Sequence, residues 1–277
     1  MKKINLLIGI LIIIFTSCSK SDDNTESNSV TYVPDDNFEQ LLIDGGLDDV
    51  LDNYVLTANI SSILELGVGN NQVSDLTGIE GFKSLEYLYC SIGNLTSLDL
   101  SKNTNLTHLE CNYNDLTSLD LSKNTNLTYL KCESNDLNSI DLSKNTKLTL
   151  LQIDGNNLTS LDLSNNSSLI QVICQENQLT SIDLSNSPAL TGLWCFKNQI
   201  SSIDLSNNPA LTSLSIERNQ LTSLDVSNNT ILSWFNCQFN SLPCIQVSQA
   251  QLDDVSTSVA SGRWIKNDNS NYSTDCN

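Results

Sequence analysis

One histidine, nine cysteines and an evenly spaced set of aspartates are the groups in these 277 residues best suited to chemistry. Asp99, Asp120, Asp141, Asp162, Asp183, Asp204 and Asp225 recur at one constant interval, with serines on both sides. Carboxylates stacked about 4.8 Å apart repel by about 0.9 kcal/mol per neighbour even in water, so hydroxyls, solvent or cations must relieve the column. A solvated ladder is the expectation, and weak, delocalised cation affinity is the alternative. If repulsion dominates, it raises the aspartate pKa values. A second acidic group, Asp48, Asp49, Asp52 and Asn53, lacks the ligand order and central glycine of a calcium-binding EF-hand loop and reads as a solvated surface. Around His108 no set of nucleophile, base and oxyanion donor can be named. The chain is therefore read as non-catalytic, with no cofactor and no metal.

The cysteines divide by position. Cys90, Cys111, Cys132, Cys174, Cys195 and Cys237 share one place in the same 21-residue period, which Ile153 and Ile216 fill in other copies. Exchange with isoleucine marks a small buried hydrophobe, and matching positions on parallel strands run side by side, an awkward geometry for bridging. Free buried thiols are expected there in preference to a metal or disulfide ladder. Cys244 and Cys276 fall outside the register and are the disulfide candidates in an oxidising envelope.

Recognition chemistry lies where the repeat stops repeating. The outward positions of one half of each copy vary while the frame is nearly verbatim, and they hold two aromatic groups. Tyr87, Tyr89, His108 and Tyr129, accompanied by Glu110 and Lys131, form the first; Trp194, Phe196, Trp234 and Phe239 form the second. Exposed aromatics on a solvated sheet are costly and serve as anchors at recognition surfaces.

The elements that position these groups follow from the period. From Leu95 the chain reads LTSLDLSKNTNLTHLECNYND and then six more variants of that string, end to end. Such self-similarity marks a solenoid, whose units bury their apolar faces only by stacking. Within L-x-x-L-x-C-x-x-N-x-L, as at Leu106 to Leu116, the Leu and Cys positions alternate inward on a short strand. The Asn column (Asn114, Asn135, Asn156, Asn177, Asn198, Asn219, Asn240) satisfies backbone groups where the chain turns. The second half, L-T-S-L-D-L-S, alternates as strictly and predicts a second strand on the opposite side. Residues 56–242 then form about nine coils of two short parallel strands each, a body roughly 40 Å long at strand spacing. The Thr column at Thr96, Thr117, Thr159, Thr180 and Thr222, broken by Asn138 and Ser201, leaves a structural or ice-binding solenoid as a further alternative.

The ends differ in composition. Residues 1–17 read as a lipoprotein signal peptide, with Lys2 and Lys3 before an apolar run too short for the roughly 20 residues of a membrane span. Phe15-Thr16-Ser17-Cys18 is a lipobox-like site, so Cys18 is the expected lipidated residue, although phenylalanine stands where leucine is usual. Residues 18–29 are polar and read as a disordered tether. Residues 30–55 read as a helical cap that starts near Pro34-Asp35-Asp36-Asn37 and stops at Gly45-Gly46. Residues 243–277 form a second cap, with Ser248 and Gln251 as a capping box and Trp264 packed on the last coil. A formal charge of −19 disfavours nucleic acid and anionic membrane surfaces as partners.

With these motifs in view, residues 56–242 resemble an internalin-like leucine-rich-repeat domain. The start, Tyr32 to Gln40 with Val55-Leu56-Thr57 and Val73-Ser74-Asp75-Leu76-Thr77-Gly78-Ile79-Glu80, resembles repeat lipoproteins of the Bacteroidota (flavobacterial) type. Asp22-Asp23 after the cysteine resembles the acidic signal that sends such lipoproteins to the cell surface. The resemblance implies a right-handed α/β solenoid, mostly β, with binding and adhesion roles and no catalytic residues. The expected function is a lipid-anchored outer-membrane module, at the cell surface, that binds a protein or, alternatively, a glycan through its concave face.

Overall fold

The computed structural model describes residues 29–69 and 72–276; residues 1–17, Cys18 and the tether as far as residue 28 lie outside them. The chain enters through β1 (Val30–Tyr32), helix α1 (Asp36–Asp44), β2 (Tyr54–Leu56) and the single-turn helix α2 (Thr57–Ile60). Helix α1 begins where Asp35 Oδ1 accepts the amide protons of Asn37 and Phe38. It stops where Gly46 adopts φ +71°, a conformation that costs glycine nothing. Phe38, Leu41 and Leu42, on one face, are buried against the first coil.

The body is one sheet built from β3 (Glu65–Gly67), β4 (Tyr87–Tyr89), β5 (His108–Glu110), β6 (Tyr129–Lys131), β7 (Leu150–Gln152), β8 (Gln171–Ile173), β9 (Gly192–Trp194), β10 (Ser213–Ser215) and β11 (Trp234–Asn236). Neighbours in the chain are neighbours in the sheet and all pair in parallel. From β4 to β11 each strand begins one repeat after the last, at Tyr87, His108, Tyr129 and so on to Trp234, giving eight coils. The step from Glu65 of β3 to Tyr87 of β4 is longer by a single position. From β4 to β11 each strand buries its central residue, Leu88 through Phe235, joined by Gly192 in β9 and Ser215 in β10, and the Cys or Ile two places past the centre is buried as well. The leucines of the opposite segment complete a continuous apolar interior.

Two ladders of buried amides close the corners of each coil. At the first, Asn135 Nδ2 donates to the carbonyls of Cys111, Cys132 and Glu133, while its Oδ1 accepts the Leu116 amide proton. The second was not read from the sequence. Asn103, Asn124, Asn145, Asn166, Asn208 and Asn229 are fully buried, and Asn145 Nδ2, for example, donates to the Leu121 and Asn124 carbonyls of the preceding coil. Its sequence signal is the recurrent Asn of S-K-N-T and S-N-N, replaced by Ser187 in one coil and easily mistaken for an ordinary turn residue.

The expected second strand per coil is not formed among the described residues. Leu119 and Leu121 do point inward and Ser118 and Asp120 outward, yet the segment carries no ladder. Alternation reports which face is buried, whereas a strand needs backbone pairing. On this side the amide of Ser122, two residues past the aspartate, is taken up by Asp120 itself at 2.9 Å. A single bridge, Asp225 with Gln246, appears at the end.

The C-terminal end comprises β12 (Cys244–Gln246), α3 (Gln249–Ala260), β13 (Trp264–Ile265) and β14 (Asn271–Ser273). Ser248 and Gln251 form the capping box of α3. Strand β13 pairs with β11 and becomes the tenth strand of the main sheet, so Trp264 covers the last coil edge-on to Phe235 at 5.3 Å. Cys244 and Cys276 are joined, Cα to Cα 5.7 Å, at the β12–β14 pair.

Candidate binding surface

The outward residues of the sheet stand in rows because the register is exact from coil to coil: Tyr87 faces His108, which faces Tyr129, and Tyr89 faces Glu110, which faces Lys131. The sheet thereby brings the first predicted group together. The His108 ring stacks on Tyr129 at 3.9 Å and 11°, with Tyr89 and Tyr87 at 5.3 and 5.8 Å on its other side. Beneath the rings, Glu110 Oε1 lies 3.3 Å from His108 Nε2 and 3.4 Å from Lys131 Nζ, which is 5.1 Å from the Tyr129 centroid. Burial works against the Lys131 charge, but Tyr129 and Glu110 outweigh it and hold the pKa above the ordinary lysine value. Burial, then the Glu65 and Glu110 charges, push the Tyr89 hydroxyl up. Side chains held this way lose little further rotamer freedom when a partner docks.

The second group is placed differently. Trp194, Phe196 and Trp234 are half-buried on the same face, and the Trp194 indole packs against Gly192, where any Cβ would come within 2.5 Å of the ring. Glycine at that one position lets the indole rest on the backbone. Phe239 does not belong to this face. It sits in the turn after β11 with φ +57°, exposed, its ring 4.4 Å from the Arg218 guanidinium. Each coil bends there through one left-handed residue, among them Tyr113, Ser134, Gly155, Glu176, Lys197 and Arg218, so the strand alternation ends before Phe239. Non-glycine residues hid the bend in the sequence.

Between the groups lies an acidic spot that sequence reasoning missed. Asp154 Oδ1 and Gln175 Oε1, adjacent in one row, are buried without a hydrogen-bond partner. Burial, and next the Glu133 charge, push the Asp154 carboxyl up to about 6. Its signal was the row Glu133, Asp154, Gln175 beside Glu176, visible only once the rows are aligned.

The regular aspartate column behaves opposite to the expectation from repulsion. Asp99, Asp120, Asp141, Asp162, Asp183 and Asp204 are held below the ordinary carboxylate value by hydrogen bonds from the serine two residues on. Each of those amide protons is donated to its carboxylate at 2.9 Å. At that distance a donated bond outweighs a neighbouring charge across solvent. In the entry region Asp52 Oδ1 and Glu39 Oε1 are likewise spent on backbone amides. Among the described residues no group of three or more His, Cys, Asp or Glu is placed to hold a metal ion. Cys90, Cys111, Cys132, Cys174, Cys195 and Cys237 are free and buried, and burial pushes the Cys111 and Cys174 thiols up to about 12. They act as core hydrophobes, since a thiol so far from ionisation is a poor nucleophile.

No protein-family model matches the chain. It is similar to Internalin J of Listeria monocytogenes serotype 4b (strain F2365), 38% identical over 73 residues, which is 26% of this chain and 8% of that protein. Its fold is similar to the functional domain of InlJ from Listeria monocytogenes, which includes a cysteine ladder: TM-score 0.73 and 33% identity over 80% of this chain and 53% of that one. The chain thus spans about half of that solved relative. The LRR protein LIC12759 of Leptospira interrogans shares the fold, with TM-score 0.62 and 20% identity over 69% of this chain and 56% of the other. The architecture is an internalin-like leucine-rich-repeat solenoid.

Proposed function

We propose that this leucine-rich-repeat chain is a binding module, anchored through a lipid on Cys18 at the outer membrane and exposed at the cell surface, whose strand face docks a protein partner. The observation that carries this reading is the preassembled cluster of Tyr87, Tyr89, His108 and Tyr129, braced by Glu110 and Lys131. Those six side chains break an otherwise uniform frame, and they sit on the face that stacking makes continuous. Rigid aromatic anchors around a buffered charge pair are the residue types that dominate protein interfaces. The test is capture from intact cells of a partner by the wild-type chain and its loss with His108→Ala plus Tyr129→Ala, the variant's melting temperature being unchanged. A partner retained by that variant would refute the reading.

A second reading is a glycan partner, favoured by one feature: the Trp194 indole, packed against Gly192 and partly exposed on the strand face, is a side chain of the kind sugars stack upon. Glycan-array binding abolished by Trp194→Ala would support it over a protein partner.

A further inference from the structure

The entry strands carry an apolar face that is left exposed among the described residues. Strands β1 and β2 pair antiparallel, with Val30 opposite Leu56, Thr31 opposite Val55 and Tyr32 opposite Tyr54. Directly opposed residues share a face, so the inward pair, Thr31 and Val55, is buried and the other four side chains all project to the opposite side. Val30 is 55%, Tyr32 49%, Tyr54 47% and Leu56 44% exposed, and the two tyrosine rings lie 5.4 Å apart. The inward face is closed by Gly78 and Gly81, where a Cβ would meet Tyr32, Val33 and Thr31 within 3 Å. Four exposed apolar side chains on one face, with no described residue covering them, are unusual on a chain this acidic.

The position of the face identifies its occupant. We infer that the β1–β2 sheet rests on the lipid surface to which the chain is anchored, and so fixes the solenoid with its entry end at the membrane. This rests on the reading of Cys18 as the lipidated residue. Twelve residue steps separate Cys18 from Val30, a reach of at most about 40 Å. The face therefore begins at the residue where the tether ends and stays within reach of the bilayer, at an effective concentration on the order of millimolar. Paired tyrosines with valine and leucine are the composition that settles at a headgroup boundary. Asp44, Asp49 and Asp52, exposed in the same region, specify a zwitterionic rather than an anionic surface.

The chain from residue 18 onward, coupled through Cys18 to a maleimide lipid in phosphatidylcholine vesicles that carry a diazirine lipid, tests this. Photolabelling should concentrate in peptides covering residues 29–57, at least fivefold above the rest of the chain. It should fall to the background level in V30S/Y32S/Y54S/L56S, whose melting temperature and circular dichroism report that it still folds. Labelling spread evenly over the chain, or unchanged in the variant, overturns the proposal. So does a dimer of the uncoupled chain, in sedimentation, that the same variant abolishes, because the face would then meet a second copy. Because the coupling is chemical, the result is independent of acylation in cells. Absence of an acylated Cys18 peptide from the membrane fraction would refute the anchor, a separate failure.

Discussion

Asp154 is the least comfortable charge on the strand face, and its discomfort has a sign. Its carboxyl is raised from 3.8 to about 6, so the proton is held more tightly folded than unfolded. Below pH 3.8 both states are protonated and nothing is lost; between about 4 and 6 the unfolded chain ionises first, and stability falls as pH rises. Two units correspond to about 3 kcal/mol at most, and for a side chain that keeps partial contact with solvent about 1 kcal/mol is the realistic figure. Asp154→Asn should therefore melt a few degrees higher at pH 7 and no differently at pH 3.5, a comparison that differential scanning calorimetry makes directly. The aspartates of the serine-flanked column contribute the other way: their values are depressed, so what they add is present above the unfolded value and lost as pH falls through the folded one. Neither sign could be read from residue types alone. The sequence places Asp120 and Asp141 one coil apart, but only coordinates show the Ser122 and Ser143 amides taking up their charge.

The corners of the coils show how far alternation and period carry. The inward Leu and Cys positions and the first Asn column were legible because burial at period two has no other explanation, and Leu109, Cys111 and Asn114 lie where that pattern puts them. The second ladder was not legible, because an asparagine in a polar turn looks solvated until the next coil is stacked on it. That ladder has one gap. Ser187 stands where the other coils have asparagine, its hydroxyl is buried without a partner, and the Leu163 and Asn166 carbonyls lose the donors that an amide supplies elsewhere. Ser187→Asn should restore both bonds and stabilise the chain by about 1–2 kcal/mol, seen as a higher urea midpoint at unchanged slope. A lower midpoint would mean that the coil has relaxed around the serine. At the exit end Gln251 of α3 performs the same task with a longer side chain, donating to the Val226 and Asn229 carbonyls at 3.1 and 3.0 Å. Gln251→Ala should thus cost about 2 kcal/mol although the residue belongs to no repeat, and a loss below about 0.5 kcal/mol would show that water replaces it. The entry end is tied similarly: Asp35 caps α1 with one oxygen and with the other accepts from the Ser74 and Asp75 amides of the first coil.

A stack in which every coil touches only its neighbours can be lengthened without redesign, and this separates the two aromatic groups experimentally. Residues 137–157 form one complete period between Tyr129 and Trp194, beginning at a buried Leu137 and followed by its counterpart Leu158. Inserting a second copy that carries Asn in place of Asp154 keeps every existing side chain and sets no second carboxylate beside Asp154. The prediction is a folded chain with unchanged or higher melting temperature, since stability in such arrays is approximately a sum over repeats and their interfaces. The distance between the His108 cluster and Trp194 grows by about 4.8 Å, the spacing of one strand. A rigid protein partner that spans both groups cannot follow this shift, so its affinity should fall at least tenfold, measured by titration calorimetry against the unmodified chain. A partner held by one group alone would bind the lengthened chain as before. The experiment then reads, from a change that touches no binding residue, whether recognition belongs to a patch or to the length of the solenoid.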